Sequence, residues 1–103
     1  PGSKYAIDAA LKIDLVNDHL AGREMSIGRY YLKKNNPIAA IKRFQTVVEK
    51  YDTTTHTAEA LYRLVENNLM LGLKDEAKKY AEVLGHNYPD SKWSQHSTNL
   101  LKN

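Results

Sequence analysis

A period of 37 residues runs through the second half of the chain. Asp52-Thr53-Thr54-Thr55-His56 and Pro89-Asp90-Ser91-Lys92-Trp93 each gather turn and capping residues ahead of a new helix, and their first residues stand 37 apart. The register holds around them, since Ala40 matches Ala77, Val47 matches Leu84 and Tyr51 matches Tyr88. A period of this size with small and apolar residues at helical spacing reads as a pair of antiparallel helices. One helical hairpin cannot bury its own apolar face, so the chain has to stack such units.

The stretch from Gly28 to Tyr51 shows how one hairpin is made. It reads as the end of a helix, a tight turn and a complete second helix. Asn36 can cap the second helix with its side-chain oxygen, and Pro37 suits the first helical position, where its missing N–H costs nothing. Gly28 and Tyr31 before the turn, with Ala40 and Phe44 after it, fall at the small and aromatic positions through which the paired helices of a tetratricopeptide repeat pack.

A third mark, Pro1-Gly2-Ser3-Lys4-Tyr5, lies 51 residues ahead of Asp52, an excess of 14 over the period. Fourteen residues are close to four helical turns at about 3.6 residues each, so the excess predicts a longer helix and not a loop. No proline interrupts the segment from Ser3 to Lys34. Ala6, Ala9, Ala10, Ile13, Val16, Leu20, Ile27 and Tyr31 recur along it at helical spacing. Gly22 is its weak point, at a cost of about 1 kcal/mol relative to alanine.

The reading is an all-α, tetratricopeptide-repeat-like stack of about five helices in one domain, residues 1–103. A long helix fills 1–34, and a second helix (37–51) lies within 35–53. The second hairpin, 54–88, holds helices over 56–71 and 74–87. In the former, Ala58, Leu61, Tyr62, Val65 and Leu69 share one face, and Gly72 supplies a left-handed stop. In the latter, Ala77, Tyr80, Ala81 and Leu84 are the packed residues. A capping helix from Ser91 to Lys102 closes 89–103, with Trp93, Leu100 and Leu101 packed inward and its Ser, Gln, His and Asn residues on a solvated outer face.

Little in the chain points to chemistry. The net charge of +3 arises from 15 basic and 12 acidic residues, and the lysines are spread over every predicted helix, so nucleic acid is not an expected partner. No apolar run approaches the roughly 20 residues that span a bilayer, and no basic-apolar signal sequence opens the chain. The absence of cysteine excludes disulfides, thiolate metal sites and a cysteine nucleophile within it. His19, His56, His86 and His96 form no metal-binding pair at ligand spacing, so no metal or cofactor is expected. Serine is confined to Ser3, Ser26, Ser91, Ser94 and Ser97, three of which read as caps or surface residues, and no nucleophile elbow or phosphate loop accompanies them. Most of the seven tyrosines read as packing residues whose hydroxyls reach water; Tyr30 and Tyr62 are the two open to a surface role.

Arg43 carries more information. One step before Phe44, it lies about 100° from the centre of the apolar stripe, at the border of core and solvent, and Lys50 lies on the same border. An arginine there can cover apolar surface with its stem and offer its planar fork to a carboxylate. That carboxylate can be intramolecular, Glu24 or Glu49, or a partner's.

Four stretches carry a family resemblance: Leu20-Ala21-x-x-Glu24, Gly28-Arg29-Tyr30-Tyr31-Leu32-Lys33, Ala39-Ala40-Ile41-x-Arg43-Phe44, and Leu84-Gly85-His86-Asn87-Tyr88-Pro89-Asp90-Ser91-x-Trp93. Together they resemble the C-terminal half of the BamD family, lipoproteins of the outer-membrane β-barrel assembly machinery. The resemblance implies a scaffold with no reaction of its own, at the periplasmic face of the outer membrane and held there by a lipidated N-terminal cysteine. It implies docking of the C-terminal repeats on the POTRA domains of the barrel-forming subunit, with other lipoproteins of the complex as further partners. The arginine of the Ala-Ala-x-x-Arg-Phe motif, here Arg43, is the position the family associates with that docking, and Lys50, Asn35, Asn36 and Pro37 are expected beside it. The chain lacks the family's N-terminal repeats and anchoring cysteine, so substrate reception and anchoring do not carry over, and no membrane insertion of this fragment is expected. It begins at a repeat boundary, as an excised fragment would.

The alternative is a general periplasmic tetratricopeptide-repeat adaptor holding a peptide in its groove. Met25, Arg29 and Leu32, then Tyr62, Glu66 and Leu69, fill the positions where carboxylate-clamping repeats carry Lys, Arg and Asn, which argues against a two-carboxylate clamp.

Overall fold

The computed structural model describes residues 4–102, with side chains from Leu11 to Lys102. Five helices follow one another: α1 (Lys4–Lys33), α2 (Pro37–Lys50), α3 (Thr57–Met70), α4 (Lys74–Asn87) and α5 (Lys92–Lys102). No strand occurs among the described residues. The residues Pro1 to Ser3 of the opening turn mark, and the side chains of Ala6, Ala9 and Ala10, lie outside the described set. α1 pairs with α2 and α3 with α4; α2 packs on α3 to join the hairpins, and α5 lies across α3 and α4. This is the tetratricopeptide-like stack with a capping helix that the repeat implies.

Helix α1 runs unbroken through Gly22 for 30 residues, about 45 Å at 1.5 Å per residue. It ends in a left-handed residue, Asn35, at φ +60°. The Asn36 N–H returns to the Tyr31 carbonyl at 2.9 Å and the Asn35 N–H to Leu32 at 3.0 Å, which together make a Schellman closure. Asn36 then begins α2, its side-chain oxygen accepting the Ala39 N–H at 3.2 Å, with Pro37 opening the helix.

The second hairpin closes the same way one period later. Gly72 sits at φ +79°, the Leu73 N–H reaches the Asn68 carbonyl at 2.8 Å, and the Gly72 N–H reaches Leu69 at 3.0 Å. Asparagine tolerates at Asn35 the conformation that glycine adopts freely at Gly72. The repeat is therefore legible in hydrogen bonds as well as in residue types. At the far ends of α2 and α4, Tyr51 and Tyr88 donate their N–H groups to Val47 and Leu84, each at 2.9 Å.

The core of the first hairpin depends on a close approach at Gly28. A Cβ there would lie 2.5 Å from Cε1 of Phe44, so the Phe44 ring occupies the space a side chain would need. Ala21, Met25, Ala40, Val47, Ala60 and Leu64 complete the buried cluster around the ring. The equivalent residues of the second hairpin, Ala77 and Leu84, are buried as the repeat requires. Among the tyrosine hydroxyls, Tyr80 accepts from Gln45 at 3.2 Å and Tyr88 donates to the Asp52 carbonyl at 3.3 Å.

Three expectations need correction. The packed face of α3 is turned from the one expected: Ala60, Leu64, Asn67 and Asn68 are buried along with Leu61 and Val65, whereas Ala58, Tyr62 and Leu69 are only half-buried. It packs on three helices at once. The asparagine amide nitrogens donate back to the Arg63 and Leu64 carbonyls, each at 2.7 Å, while Asn67 Oδ1 is buried without a partner among the described residues. In α5 the buried residues are Ser94 and Ser97, whereas Trp93, Leu100 and Leu101 are half-buried, so two serines assigned to the outer face line the inner one. Ser94 lies against α4, where a Cβ on Gly85 would be 3.8 Å from its Oγ. Ile13 and Val16 of α1, expected in the packed series, are 60% and 55% exposed.

Candidate functional site

Helix α2 presents the proposed docking residues along its outer border. Arg43 lies at its middle, and its Nη1 donates to both Glu24 oxygens of α1, at 3.4 and 3.3 Å. Its side chain is 40% exposed and that of Glu24 22%. Of the two intramolecular acids considered, Glu24 is the one engaged. Only one guanidinium nitrogen takes part in this pair, and arginine carries five N–H donors in a fixed fork. Asn35, Asn36 and Pro37 form the turn at one end of α2, and Lys50 is the last residue at the other. Thirteen residues at about 1.5 Å each separate Pro37 from Lys50 by about 20 Å along the axis. Arg43 and Lys50, seven residues apart, share one side of α2, while the Asn35–Pro37 turn lies at its start, so the five residues are spread along the helix and do not form a single cluster.

A second constellation joins α1 to α3. Arg29 Nη1 donates to both oxygens of Glu59, at 3.2 and 3.1 Å. Glu59 also accepts from Arg63 Nε at 3.3 Å. Arg63 Nη1 continues to Glu66 at 3.1 Å, and Tyr62 donates its hydroxyl to the other Glu66 oxygen at 3.3 Å. Burial, followed by the charge of Glu66, pushes the Tyr62 phenol above its ordinary value. The Arg63 guanidinium lies 5.4 Å from the Tyr62 ring centre and 5.6 Å from that of Trp93; the Tyr62 and Trp93 rings meet at a tilt, and both meet His96 edge to face. Two links of this relay, Glu59 to Arg63 and Arg63 to Glu66, are helical spacings visible in the sequence. The third joins residues 30 apart, and only the stacking of hairpins could bring them together.

This relay bears on the groove of the adaptor reading. Met25 is fully buried, Arg29 is held by Glu59, and Glu66 by Tyr62 and Arg63. Of the groove positions, Arg29 ties α1 to α3 and Tyr62 packs on Trp93 of α5.

His19 and His56 line one hollow beside α1, and His86 and His96 lie elsewhere on α4 and α5. His56 lies 3.6 Å from Asp18, while His96 belongs to the aromatic cluster. Among the described residues no three His, Asp or Glu side chains converge in a way that could hold a metal ion, and no helix is long and apolar enough to cross a membrane.

The fold places the chain among tetratricopeptide-like helical-repeat proteins, a class built to present surfaces to other proteins. Within that class, a family model described as YfiO, outer membrane lipoprotein, matches residues 1–84. The chain belongs to this family. Among similar curated proteins, the outer membrane protein assembly factor BamD of Rickettsia prowazekii is 67% identical over 100% of the chain and 41% of its own length. BamD of Caulobacter vibrioides is 54% identical over 98% of the chain and 33% of its own length. BamD of Neisseria meningitidis serogroup A is 37% identical over 94% and 36%. The chain thus spans 33% to 41% of the length of these relatives. Helix α5 lies beyond the residues that the family model matches.

Proposed function

We propose that the chain is a protein-binding segment of an outer-membrane protein assembly factor, that it has no catalytic activity, and that it docks on the POTRA domains of the barrel-forming subunit through Arg43 with Lys50 and the Asn35–Pro37 turn. Membership of the outer membrane lipoprotein family supports the role in assembly and a place at the periplasmic face of the outer membrane, where the longer relatives named BamD supply the model for the whole protein. Other lipoproteins of the same machinery are further proposed partners.

The observation that carries the reading is the state of Arg43. It is held by Glu24 from one side through a single nitrogen, and 40% of its side chain faces solvent. A guanidinium fixed in this way loses little rotamer freedom on meeting a second carboxylate. Lys50 lies on the same side of α2 and the Asn35–Pro37 turn at its start, and both Asn35 and Asn36 are exposed.

Titration calorimetry against the isolated POTRA segment tests the proposal. Arg43→Ala is expected to weaken binding by about 2 to 5 kcal/mol, the range for losing one partner of a desolvated charge pair. Thermal melting should change little, because a half-exposed ion pair contributes about 0 to 1 kcal/mol. Unchanged affinity would remove the docking role from Arg43. A large loss of melting temperature would make its pairing with Glu24 the reason for its place in the chain.

A further inference from the structure

Helix α5 is joined to the stack differently from the other four. Arg43 of α2 bonds Glu24 of α1, Arg29 of α1 bonds Glu59 of α3, and Gln45 of α2 bonds Tyr80 of α4. Each of α1 to α4 therefore has a side-chain hydrogen bond to another helix. In α5 the Trp93 N–H donates to Ser91 Oγ and the Thr98 hydroxyl to the Ser94 carbonyl, so both bonds stay within the helix and its cap. Among the described residues no hydrogen bond or ion pair links α5 to any other helix.

The polar groups that α5 turns inward weaken its hold further. By the 37-residue period Ser94 takes the place of Thr57, and Ser97 that of Ala60, which is fully buried in α3. The Thr57 hydroxyl is used, donating to the Tyr51 and Thr54 carbonyls at 3.1 and 3.2 Å. Ser97 is 2% exposed, and its hydroxyl has no partner among the described residues. A buried hydroxyl left unpaired favours any motion that returns it to water. What does hold α5 is aromatic and apolar. The Trp93 ring centre lies 5.3 Å from that of Tyr62 and 5.6 Å from the Arg63 guanidinium, while Leu100 and Leu101 are half-buried. Ser94, His96, Ser97, Thr98 and Asn99 also give the helix a low intrinsic propensity.

We propose that α5 is a strap that leaves and rejoins the stack as one unit while α1 to α4 stay folded. Its departure uncovers the Tyr62 ring and frees Arg63, at the end of the relay from Arg29, of the Trp93 ring. What remains is nearly the segment that the family model matches, which stops at residue 84. The inference concerns the contact of α3 with α5 and is independent of the Arg43 surface.

Trp93 is the only tryptophan in the chain, so its fluorescence reports the strap while far-UV ellipticity reports the stack. In urea the Trp93 signal should change at a lower concentration than the ellipticity, because separate units give separate transitions. Amide hydrogen exchange should be about tenfold or more faster across α5 than in the middle of α3, and nearly uniform from Gln95 to Leu101. Ser97→Ala gives the strap the residue that α3 carries at the same repeat position. It should slow exchange in α5 by about fivefold and draw the two urea midpoints together. Gln95→Ala, at an exposed position of the same helix, controls for the gain in helix propensity and should do less. Coincident wild-type transitions, protection that declines steadily toward Lys102 as in simple end fraying, or an effect of Ser97→Ala no larger than that of Gln95→Ala would overturn the proposal.

Discussion

The two halves of α1 obey the same helical period and meet opposite fates. From Ala21 onward the helix lies against α2, with Ala21, Met25 and Gly28 buried around Phe44. Toward its start, Leu11, Ile13, Leu15 and Val16 are 55% to 71% exposed. The difference is one of partners, because α2 ends at Lys50 and the α2–α3 turn reaches α1 only near Asp18. Apolar periodicity therefore states that a helix has a face to bury, and says nothing of what will bury it.

The packed half should yield the largest effect. Phe44→Ala removes the ring that fills the gap at Gly28 and is expected to cost about 3 to 5 kcal/mol in reversible urea unfolding. Its mirror experiment, Gly28→Ala, places a methyl group 2.5 Å from the ring and should cost about 1 to 3 kcal/mol by overpacking. Combining Gly28→Ala with Phe44→Leu should recover part of that loss, since the two changes share one space. A combined loss equal to the sum of the separate ones would mean that the contact does not organise the hairpin.

Between the halves, Asp18 ties α1 to the turn before α3. The Thr55 backbone N–H, and then its hydroxyl, hold the Asp18 carboxyl below its ordinary value of 3.8. A carboxylate with a depressed folded pKa contributes stability that is complete above its unfolded pKa and is lost as pH falls through the folded one. Wild-type melting temperature should therefore decline as pH drops below about 4, and Asp18→Asn should flatten that part of the profile while leaving the neutral plateau only slightly lower. A profile with the same acid slope in both proteins would assign the acid sensitivity to other carboxylates.

What the sequence made legible follows the same division. The hairpin turns were readable because Asn36, Pro37 and Gly72 each have one dominant backbone use, and the pairing of Gly28 with Phe44 because a small residue facing an aromatic one is a local rule of such hairpins. The unbroken path of α1 through Gly22 was readable from the whole-turn excess in spacing. Long-range chemistry was harder. Arg29 to Glu59 joins two repeats, and no local spacing encodes it. Burial of Ser94 and Ser97 depends on how α5 packs across α3 and α4, which is set by tertiary packing and which hydropathy reads in the wrong direction. For Arg43 the sequence left an internal acid and a partner's acid open together. The structure fills the first role with Glu24 and leaves guanidinium donors for the second.

The smallest effect belongs to the exposed half. Replacing Ile13 and Val16 together with serine removes two β-branched residues from solvent-facing positions, so in the isolated chain the stability should change by no more than about 0.5 kcal/mol. Serine and the β-branched residues also have similar helix propensities, which leaves little local effect to offset. Urea unfolding at two protein concentrations about a hundredfold apart sharpens the comparison. A concentration-independent midpoint with a near-zero change would show that nothing covers this face in the isolated chain. A loss above about 1 kcal/mol that grows with concentration would show that a second copy does, since a species that binds only the folded state stabilises it by mass action. The contrast within α1 would then be between a face covered inside one chain and a face covered between two.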